Sequence, residues 1–291
     1  MEDKKVIPKI IHYCWFGGNE LSELAKKCIS SWRKYCPDYE IIEWNESNFD
    51  INLCQYVREA YKEKKWAFVS DYARFWILYN FGGIYMDTDV ELIKSIDDLV
   101  EYGSYMGCEP TLQDMDTKEK LRKMRFVVNP GLGLAAPKHH PFFYEILECY
   151  NKKSFYKDSG ELDLTTVVHT TTLLLNKYGF EGGNTVCKIA GMNIYPAEYF
   201  CPKDYLTGKI HMTENTHSIH HYTASWQSDK GKKQWENLQK CNSIFGNKVG
   251  YKIWRIYTLP SRIQNKIQIL GMMGMIRFAF KKIKDKLLWK K

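Results

Sequence analysis

The sequence lacks any apolar run long enough to cross a bilayer. No hydrophobic stretch among its 291 residues approaches the roughly 20 that a membrane-spanning helix needs. At the N-terminus, charged residues stand where a secretory signal has its apolar core, in Met1-Glu-Asp-Lys-Lys-Val-Ile-Pro. We therefore expect a chain without a leader or a membrane-spanning segment.

The cysteines also lack any paired arrangement. Nine are scattered along the chain, and none belongs to a Cys-x-x-Cys motif. An odd number without paired spacing argues against both a zinc ribbon and a disulfide framework. Reduced thiols and a cytoplasmic location are the expectation.

Acidic residues are nearly missing from the C-terminal stretch. Residues 245–291 contain 12 Lys and Arg and one acid, Asp285, which leaves −3 on residues 1–244 out of a total charge of +8. A mildly acidic body with a strongly basic end predicts two functional units. We expect a domain over residues 1–245 and a basic helical tail over residues 246–291.

The apolar residues of this tail recur at helical spacing. One stripe contains Ile269, Met273, Ile276, Phe280, Ile283 and Leu287. With basic residues beside and opposite it, such a stripe is typical of a helix lying on an anionic membrane surface. The alternative is a helix that packs on the body or on a second subunit. Nucleic acid is not expected as a partner, because the body is acidic and no recognised module is present.

Strand and helix patterns alternate in the first part of the chain. Strands are predicted over 6–15 and 39–44 and just before Asp87, and helices over 21–35, 52–65 and 66–79. This order predicts an α/β fold with an open, mixed, mostly parallel sheet. Ligands of such sheets bind at the carboxyl ends of strands. A strand, a turn and a second strand are predicted over 126–137.

Two acids stand at the end of the third predicted strand. The sequence there reads Phe81-Gly-Gly-Ile-Tyr-Met-Asp-Thr-Asp-Val-Glu91. In a strand, residues i and i+2 project from the same side, so Asp87 and Asp89 are expected to converge on one point. Two converging carboxylates suit a divalent cation, Mn²⁺ or Mg²⁺, that bridges a diphosphate.

The helix before this motif carries Asp71 and Arg74 on one face. Because the helix is otherwise apolar, this charged pair needs a partner, and a bound ligand can provide one. Arg74 is suited to hold a phosphate or sugar oxygen in its fork. Trp15, at the end of the first strand, is placed to stack on a nucleobase.

A third group of polar residues follows near residue 220, in Ser218-Ile-His-His-Tyr-Thr-Ala-Ser-Trp226. Since neighbouring strand residues face opposite ways, only one of His220 and His221 is expected to point into the site. Imidazole is a suitable Mn²⁺ ligand beside carboxylates. Ser225 offers a hydroxyl oxygen that can coordinate the metal, and Trp226 offers an indole N–H that can donate to the departing diphosphate.

Together these segments resemble the Asp-x-Asp glycosyltransferases of family 32. The resemblance is carried by Ile11 to Gly18, Ser70-Asp-x-x-Arg74, Gly82 to Asp89 and Ile219-His-His to Trp226. That group includes yeast-type initiating mannosyltransferases and bacterial capsule and lipopolysaccharide enzymes, and the clostridial glucosylating toxins are similar but more distant. The resemblance implies a GT-A fold that binds a nucleotide sugar, dependence on Mn²⁺ (or Mg²⁺) and retention of anomeric configuration.

The resemblance also implies roles on the donor side of the site. Trp15 corresponds to the base-stacking tryptophan and Tyr85 to a tyrosine that lines the donor pocket. Asp71 and Arg74 correspond to contacts with the donor sugar and ribose. Asp87 corresponds to a ribose and sugar contact that acts partly through the metal.

Metal and catalytic roles follow in the same way. The expected metal ligands are Asp87, Asp89 and His220. The expected catalytic residues are Arg74, Asp87, Asp89, Asn129 and Trp226, with Ser225 binding substrate. Residues 163–172 replace a Thr-Gly-Pro segment found in many relatives, so the acceptor side is left open.

The expected function is metal-dependent transfer of a hexose from a nucleotide sugar to a glycan or lipid-linked acceptor, in capsular polysaccharide or lipopolysaccharide assembly. UDP-hexose, either UDP-galactose or UDP-glucose, is favoured as donor over GDP-mannose by the Trp15 resemblance. The expected location is the inner face of the membrane.

Two alternative functions are a basic binding protein and an Asp-x-Asp phosphohydrolase. The second fits poorly, because Glu91 stands where those enzymes have Thr or Val.

Overall fold

The structure is a computed structural model that describes residues 6–111, 123–223 and 229–258. It divides into two compact units. The first is formed by residues up to 204 and residues 210–227, and the second by residues 205–209 and residues from 228 onward. The boundary expected between residues 245 and 246 stays a prediction.

A seven-stranded sheet forms the centre of the first unit, in the order β2-β1-β3-β6-β5-β8-β7, and a two-stranded sheet pairs β4 with β9. The strands are β1 Ile10–Cys14, β2 Glu40–Trp44, β3 Gly83–Tyr85, β4 Val90–Leu92, β5 Tyr105–Pro110, β6 Phe126–Ala136, β7 Cys187–Ile189, β8 Met192–Tyr195 and β9 Ser218–His220. In the large sheet, five strands run in one direction, and β6 and β7 run against them. The predicted α/β fold with a mixed and mostly parallel sheet is confirmed.

Helices cover both faces of this sheet. The first unit contains α1 Glu23–Tyr35, α2 Gln55–Lys62, α3 Trp66–Phe81, α4 Asp97–Tyr102, α5 Pro141–Asn151, α6 Val167–Lys177 and α7 Ala197–Phe200. One apolar core includes side chains of α3, α5 and α6, and another includes side chains of α1, α4 and α7. Burial on both faces explains the continuous apolar strands of the sequence.

The elements that carry the site are fixed by local chemistry. Helix α1 begins after Ser22, whose hydroxyl accepts the Ala25 N–H at 3.1 Å. Helix α3 ends at Gly82, which has a φ of 67°, a conformation that glycine adopts without steric cost. The fully buried Trp32 of α1 donates its indole N–H to the Val90 carbonyl at 2.7 Å. This contact fixes β4 against α1.

The prediction of a strand, a turn and a second strand over 126–137 is wrong. Residues 126–136 form the single strand β6, which pairs with β5 along both of its halves. Gly107 lies opposite Asn129, whereas Met106 lies opposite Leu134. Residues 130–133 are therefore a wide bulge within the strand. Pro130 and Gly131 bend the chain without reversing it, because β5 provides partners on either side.

The described part of the second unit is dominated by α8 Asp229–Tyr257, which leaves helical geometry at Gly246, where φ is 74°. Beyond this glycine the chain folds back on the first part of α8. The Trp254 indole N–H there donates to the Gln234 carbonyl at 3.0 Å. Among the described helices, none is long and apolar enough to span a membrane. The stripe predicted over 269–287 lies outside the described residues.

Candidate active site

Asp87 and Asp89 lie at a corner between the two sheets rather than in a strand. β3 ends at Tyr85 and β4 begins at Val90, and the Val90 N–H donates to the Asp87 carbonyl at 3.0 Å, closing a turn. The prediction that both acids project from one side of a strand is therefore wrong. Asp is among the residues that favour such turns. Each carboxylate has its own set of partners.

Asp87 is held on three sides. Its Oδ1 accepts the Tyr85 hydroxyl at 2.9 Å and lies 3.3 Å from Arg74 Nη2, while its backbone N–H donates to the Gly131 carbonyl at 2.9 Å. Gly131 belongs to the β6 bulge, and a Cβ there would lie 1.9 Å from Asp87 Oδ2. The side chain is still 32% exposed. This leaves one side of the carboxylate open to a ligand.

The Asp71–Arg74 pair on α3 is buried and directed at this corner. Arg74 Nη2 lies 3.0 Å from Asp71 Oδ1, and its guanidinium lies 4.8 Å from the centre of the Tyr85 ring. Arg74 Nη1 is buried and has no hydrogen-bond partner among the described residues. A buried donor without a partner is costly, so this nitrogen is a candidate contact for a bound oxyanion.

Asp71 is also tied to the segment whose sequence departs from the family pattern. Its Oδ2 accepts the N–H of Val167 at 3.2 Å, at the start of α6. Burial raises the pKa of Asp71 to about 6, against the opposing charge of Arg74. The segment 163–172 therefore meets the Asp71–Arg74 side of the site, where Asp71 is partly occupied by structural hydrogen bonds.

Asp89 is buried and points toward β9. Its Oδ2 accepts the backbone N–H and the hydroxyl of Thr223 at 2.8 and 2.9 Å, and its Oδ1 lies 3.4 Å from His220 Nε2. Burial alone would raise the pKa of Asp89, but the charge of His220 and the Thr223 hydrogen bonds hold it well below its usual range. Asp89 is accordingly a charged carboxylate, and His220 is its cationic neighbour.

The two neighbouring histidines face different carboxylates. His220 lies opposite Val90 in the β4–β9 pair and turns toward Asp89. His221 instead contacts Glu91 at 2.8 Å, and Glu91 also pairs with Lys27 at 2.8 Å. Strand alternation thus separates them, and the geometry favours His220 over His221 as a metal ligand.

The donor set fits a hard divalent cation. Asp87 and Asp89 offer carboxylate oxygens, and His220 offers a ring nitrogen, a combination that Mn²⁺ and Mg²⁺ accept. The 3.4 Å between Asp89 Oδ1 and His220 Nε2 is near the roughly 3 Å between adjacent corners of an octahedral shell with bonds of about 2.1 Å. Asp89 and His220 are therefore close enough to share an ion, and Asp87, across the turn, is the third candidate ligand.

Glu109 and Cys201 were missed by the sequence analysis. Glu109, at the end of β5, is buried and accepts the Asn129 amide N–H at 2.9 Å, while Asn129 Oδ1 accepts the Gly131 N–H at 2.8 Å. A charged residue directly after the apolar run Tyr105–Cys108 was the available signal, because buried charges need partners. Cys201 gave no comparable signal.

The remaining predicted residues lie apart or outside the described range. Trp15 is partly buried after β1, and its indole N–H donates to the Asn19 carbonyl at 2.6 Å. Ser225 and Trp226 fall within 224–228, outside the described residues. The roles of all three stay predictions.

Residues 22–105 match the family model described as the glycosyltransferase sugar-binding region containing the DXD motif. This segment therefore resembles a glycosyltransferase sugar-binding region. The resemblance predicted from the sequence is confirmed over these residues, and the predicted enzyme class, glycosyltransferase, agrees with the match. The match includes α3 and both acids of the corner, so the structural centre of the site lies inside it.

Curated relatives point the same way over part of their length. Inositol phosphoceramide mannosyltransferase 3 of Schizosaccharomyces pombe is 31% identical over 112 residues, which are 34% of this chain and 29% of the relative. Inositol phosphoceramide mannosyltransferase 2 of the same yeast is 27% identical over 183 residues, 60% of this chain and 47% of the relative. The chain thus spans less than half the length of these two relatives.

Solved structures of glycosyltransferases are also similar. The galactosyltransferase LgtC, solved with donor and acceptor sugar analogues, is 14% identical with a TM-score of 0.43 over 79% of this chain and 95% of LgtC. The PaToxG glycosyltransferase is 19% identical with a TM-score of 0.41 over 59% of this chain and 69% of its own.

Proposed function

We propose that this chain transfers a hexose from a nucleotide sugar to a glycan or lipid-linked acceptor, with retention of configuration, using Mn²⁺ or Mg²⁺ held by Asp87, Asp89 and His220. The main support is the corner where Asp87 and Asp89, each with separate partners, meet His220 and the buried Arg74. A divalent cation held there would supply positive charge to neutralise the diphosphate as it departs.

The remaining roles, binding the donor and orienting the acids, belong to side chains of this chain. Arg74 donates through its free Nη1 to a donor oxygen, while Asp71 and Tyr85 keep the guanidinium in place. Asp87 is shared between the metal and the donor hydroxyls, because it is the more exposed acid. Thr223 and His220 keep Asp89 charged and oriented. The transfer is a front-face substitution without a covalent intermediate.

The test is to neutralise each acid without changing its shape. Asp87→Asn and Asp89→Asn should each lower release of nucleoside diphosphate from the donor by about 100-fold or more. Thr88→Ala is the matched control, since it changes the residue between the acids and removes neither carboxylate. Full activity of either Asn variant at any Mn²⁺ concentration would refute the proposal.

The donor is the next question. UDP-hexose is favoured by the expected stacking on Trp15, whereas GDP-mannose is favoured by the curated mannosyltransferase relatives. Thermal unfolding of the full chain with Mn²⁺ and a panel of UDP- and GDP-sugars distinguishes them, because a bound ligand raises the midpoint. If UDP-hexoses have no effect and GDP-mannose stabilises the chain, the second donor is correct.

For the partner surface we infer an anionic membrane. Helix α8 exposes large apolar side chains at Ile244, Phe245, Val249, Ile256 and Tyr257. Basic residues of the same helix lie among them, at Lys248, Lys252 and Arg255. Exposed apolar groups with interspersed cations are typical of interfacial helices. A glycosyltransferase at such a surface meets lipid-linked acceptors directly.

Flotation of the full chain with vesicles tests this surface. Binding to anionic vesicles should exceed binding to neutral ones, and Phe245→Asp with Ile256→Asp should weaken it. Tyr102→Asp is the control, since Tyr102 is 80% exposed but lies on α4 of the other unit. Equal flotation of wild type and the double variant would contradict the inference.

A further inference from the structure

Glu109, Cys201 and His220 form a second cluster of potential metal ligands. They come from the end of β5, the residue after α7 and the end of β9, and each is more than nine-tenths buried, with exposures of 9, 5 and 8%. One ligand atom from each residue lies within 4.8 Å of the other two. A carboxylate, an imidazole and a thiol that are buried together are costly unless they are paired, hydrogen-bonded or bound to a metal.

The spacing lets the three ligand atoms converge on one ion after a modest contraction. With bonds of 2.0–2.3 Å, ligand atoms around zinc lie about 3.5 Å apart, so the cluster must contract by about 1 Å at its widest. Nδ1 of His220 is buried and has no hydrogen-bond partner among the described residues. This ring nitrogen is therefore available to bind an ion.

Neighbouring groups orient two of the three ligands. The Asn129 amide donates to Glu109 Oε2 at 2.9 Å, and the Tyr222 hydroxyl lies 2.6 Å from Cys201 Sγ. Hydrogen bonds to ligands of this kind fix their direction and tune metal affinity.

The donor chemistry differs from that of the corner. A thiolate with imidazole and carboxylate selects Zn²⁺ over Mn²⁺ or Mg²⁺, which prefer oxygen. We propose that Glu109, Cys201 and His220 bind a thiophilic divalent cation of the zinc class, at a site that shares His220 with the catalytic metal. Binding forms a metal–sulfur bond and releases the thiol proton to solvent.

Sharing His220 makes the two sites competitive. A neutral imidazole has one lone pair for a metal, so zinc bound to His220 leaves no ring nitrogen for the cation of the corner and inhibits Mn²⁺-supported transfer. This inhibition depends on the proposed function, whereas zinc binding does not.

Binding is tested on the full chain with Co²⁺, whose thiolate complexes give a charge-transfer absorption band. The wild type should show this band and lose it on addition of Zn²⁺. Cys201→Ser should abolish the band and raise the zinc Kd by about 10- to 100-fold. Cys54→Ser is the control, because Cys54 is also buried but precedes α2. A band unchanged in Cys201→Ser overturns the proposal.

Two further measurements keep the outcome unambiguous. X-ray absorption of the zinc-loaded wild type should show one sulfur ligand, and a shell without sulfur overturns the site even if Cys201→Ser does not fold. The zinc concentration for half-inhibition, taken relative to the uninhibited rate of each variant, should rise about tenfold or more in Cys201→Ser. An unchanged value with the cobalt band lost overturns the competition. Absence of any transfer activity counts against the proposed function and leaves the spectroscopic test of binding intact.

Discussion

Replacing Gly131 by alanine tests whether the position of Asp87 controls transfer. A Cβ at residue 131 would lie 1.9 Å from Asp87 Oδ2 and 2.8 Å from its Cγ. Contacts below 3.0 Å are essentially never found for real Cβ atoms, so the carboxylate oxygen has to move by about 1 Å. Gly131 has no left-handed φ, and alanine fits its backbone. The substitution therefore acts on Asp87 without removing a charge.

A displacement of about 1 Å in a catalytic group costs about 100-fold in rate, or about 2.7 kcal/mol in transition-state stabilisation. We expect kcat/KM for donor turnover to fall by that factor in Gly131→Ala. The assay measures nucleoside diphosphate released at saturating Mn²⁺. Gly183→Ala is the matched control, since its Cβ would meet nothing within 4 Å.

A double variant separates displacement from unfolding. If Gly131→Ala acts through Asp87, adding it to Asp87→Asn lowers the rate little further, because the two changes are not additive. Thermal unfolding should show both single variants folded at the assay temperature. Wild-type turnover by folded Gly131→Ala would refute the reasoning.

Three further outcomes are expected. His220→Ala should weaken Mn²⁺ binding about 100-fold by calorimetry, and His221→Ala, which loses only its Glu91 contact, should change it far less; equal effects would contradict the assignment. Burial lowers the pKa of His12 from 6.5 to about 4, so the unfolded chain takes up a proton that the folded chain excludes. The free energy of unfolding should then fall by up to about 1.4 kcal/mol per unit as pH drops from 6.5 toward 4; His12→Gln should flatten this slope in urea titrations, and an unaltered slope would argue against it. Trp32→Phe leaves the Val90 carbonyl without its donor and should lower the free energy of unfolding by about 1–3 kcal/mol, whereas an unchanged urea midpoint would show that this contact contributes little.

Local signals predicted the elements that surround the site. Helix α3 was expected over 66–79 and extends over Trp66–Phe81, because Gly82 supplies a conformation that ends helices. The facing of Asp71 and Arg74 follows from helical spacing alone. Sequence periodicity was sufficient to predict the structure wherever residues close in sequence determine the local geometry.

Features that depend on distant partners were not predictable in this way. The turn at Thr88 arises because β4 leaves the large sheet to pair with β9. The bulge after Asn129 arises because β5 accepts the strand on both sides of it. Glu109 joins the site through its bond to Asn129, 20 positions later, and through its approach to Cys201 and His220. No local pattern contains these pairings.

The pairing of β4 with β9 also sets an order of assembly. Thr223 follows Asp89 by 134 positions, so during synthesis the acids leave the ribosome long before the groups that hold Asp89. β3 pairs with β1 early, whereas closing so long a loop costs entropy before any contact forms. We therefore expect the donors to Asp89 to arrive late in folding. A nascent chain interrupted before β9 contains both acids and has no means of orienting the second.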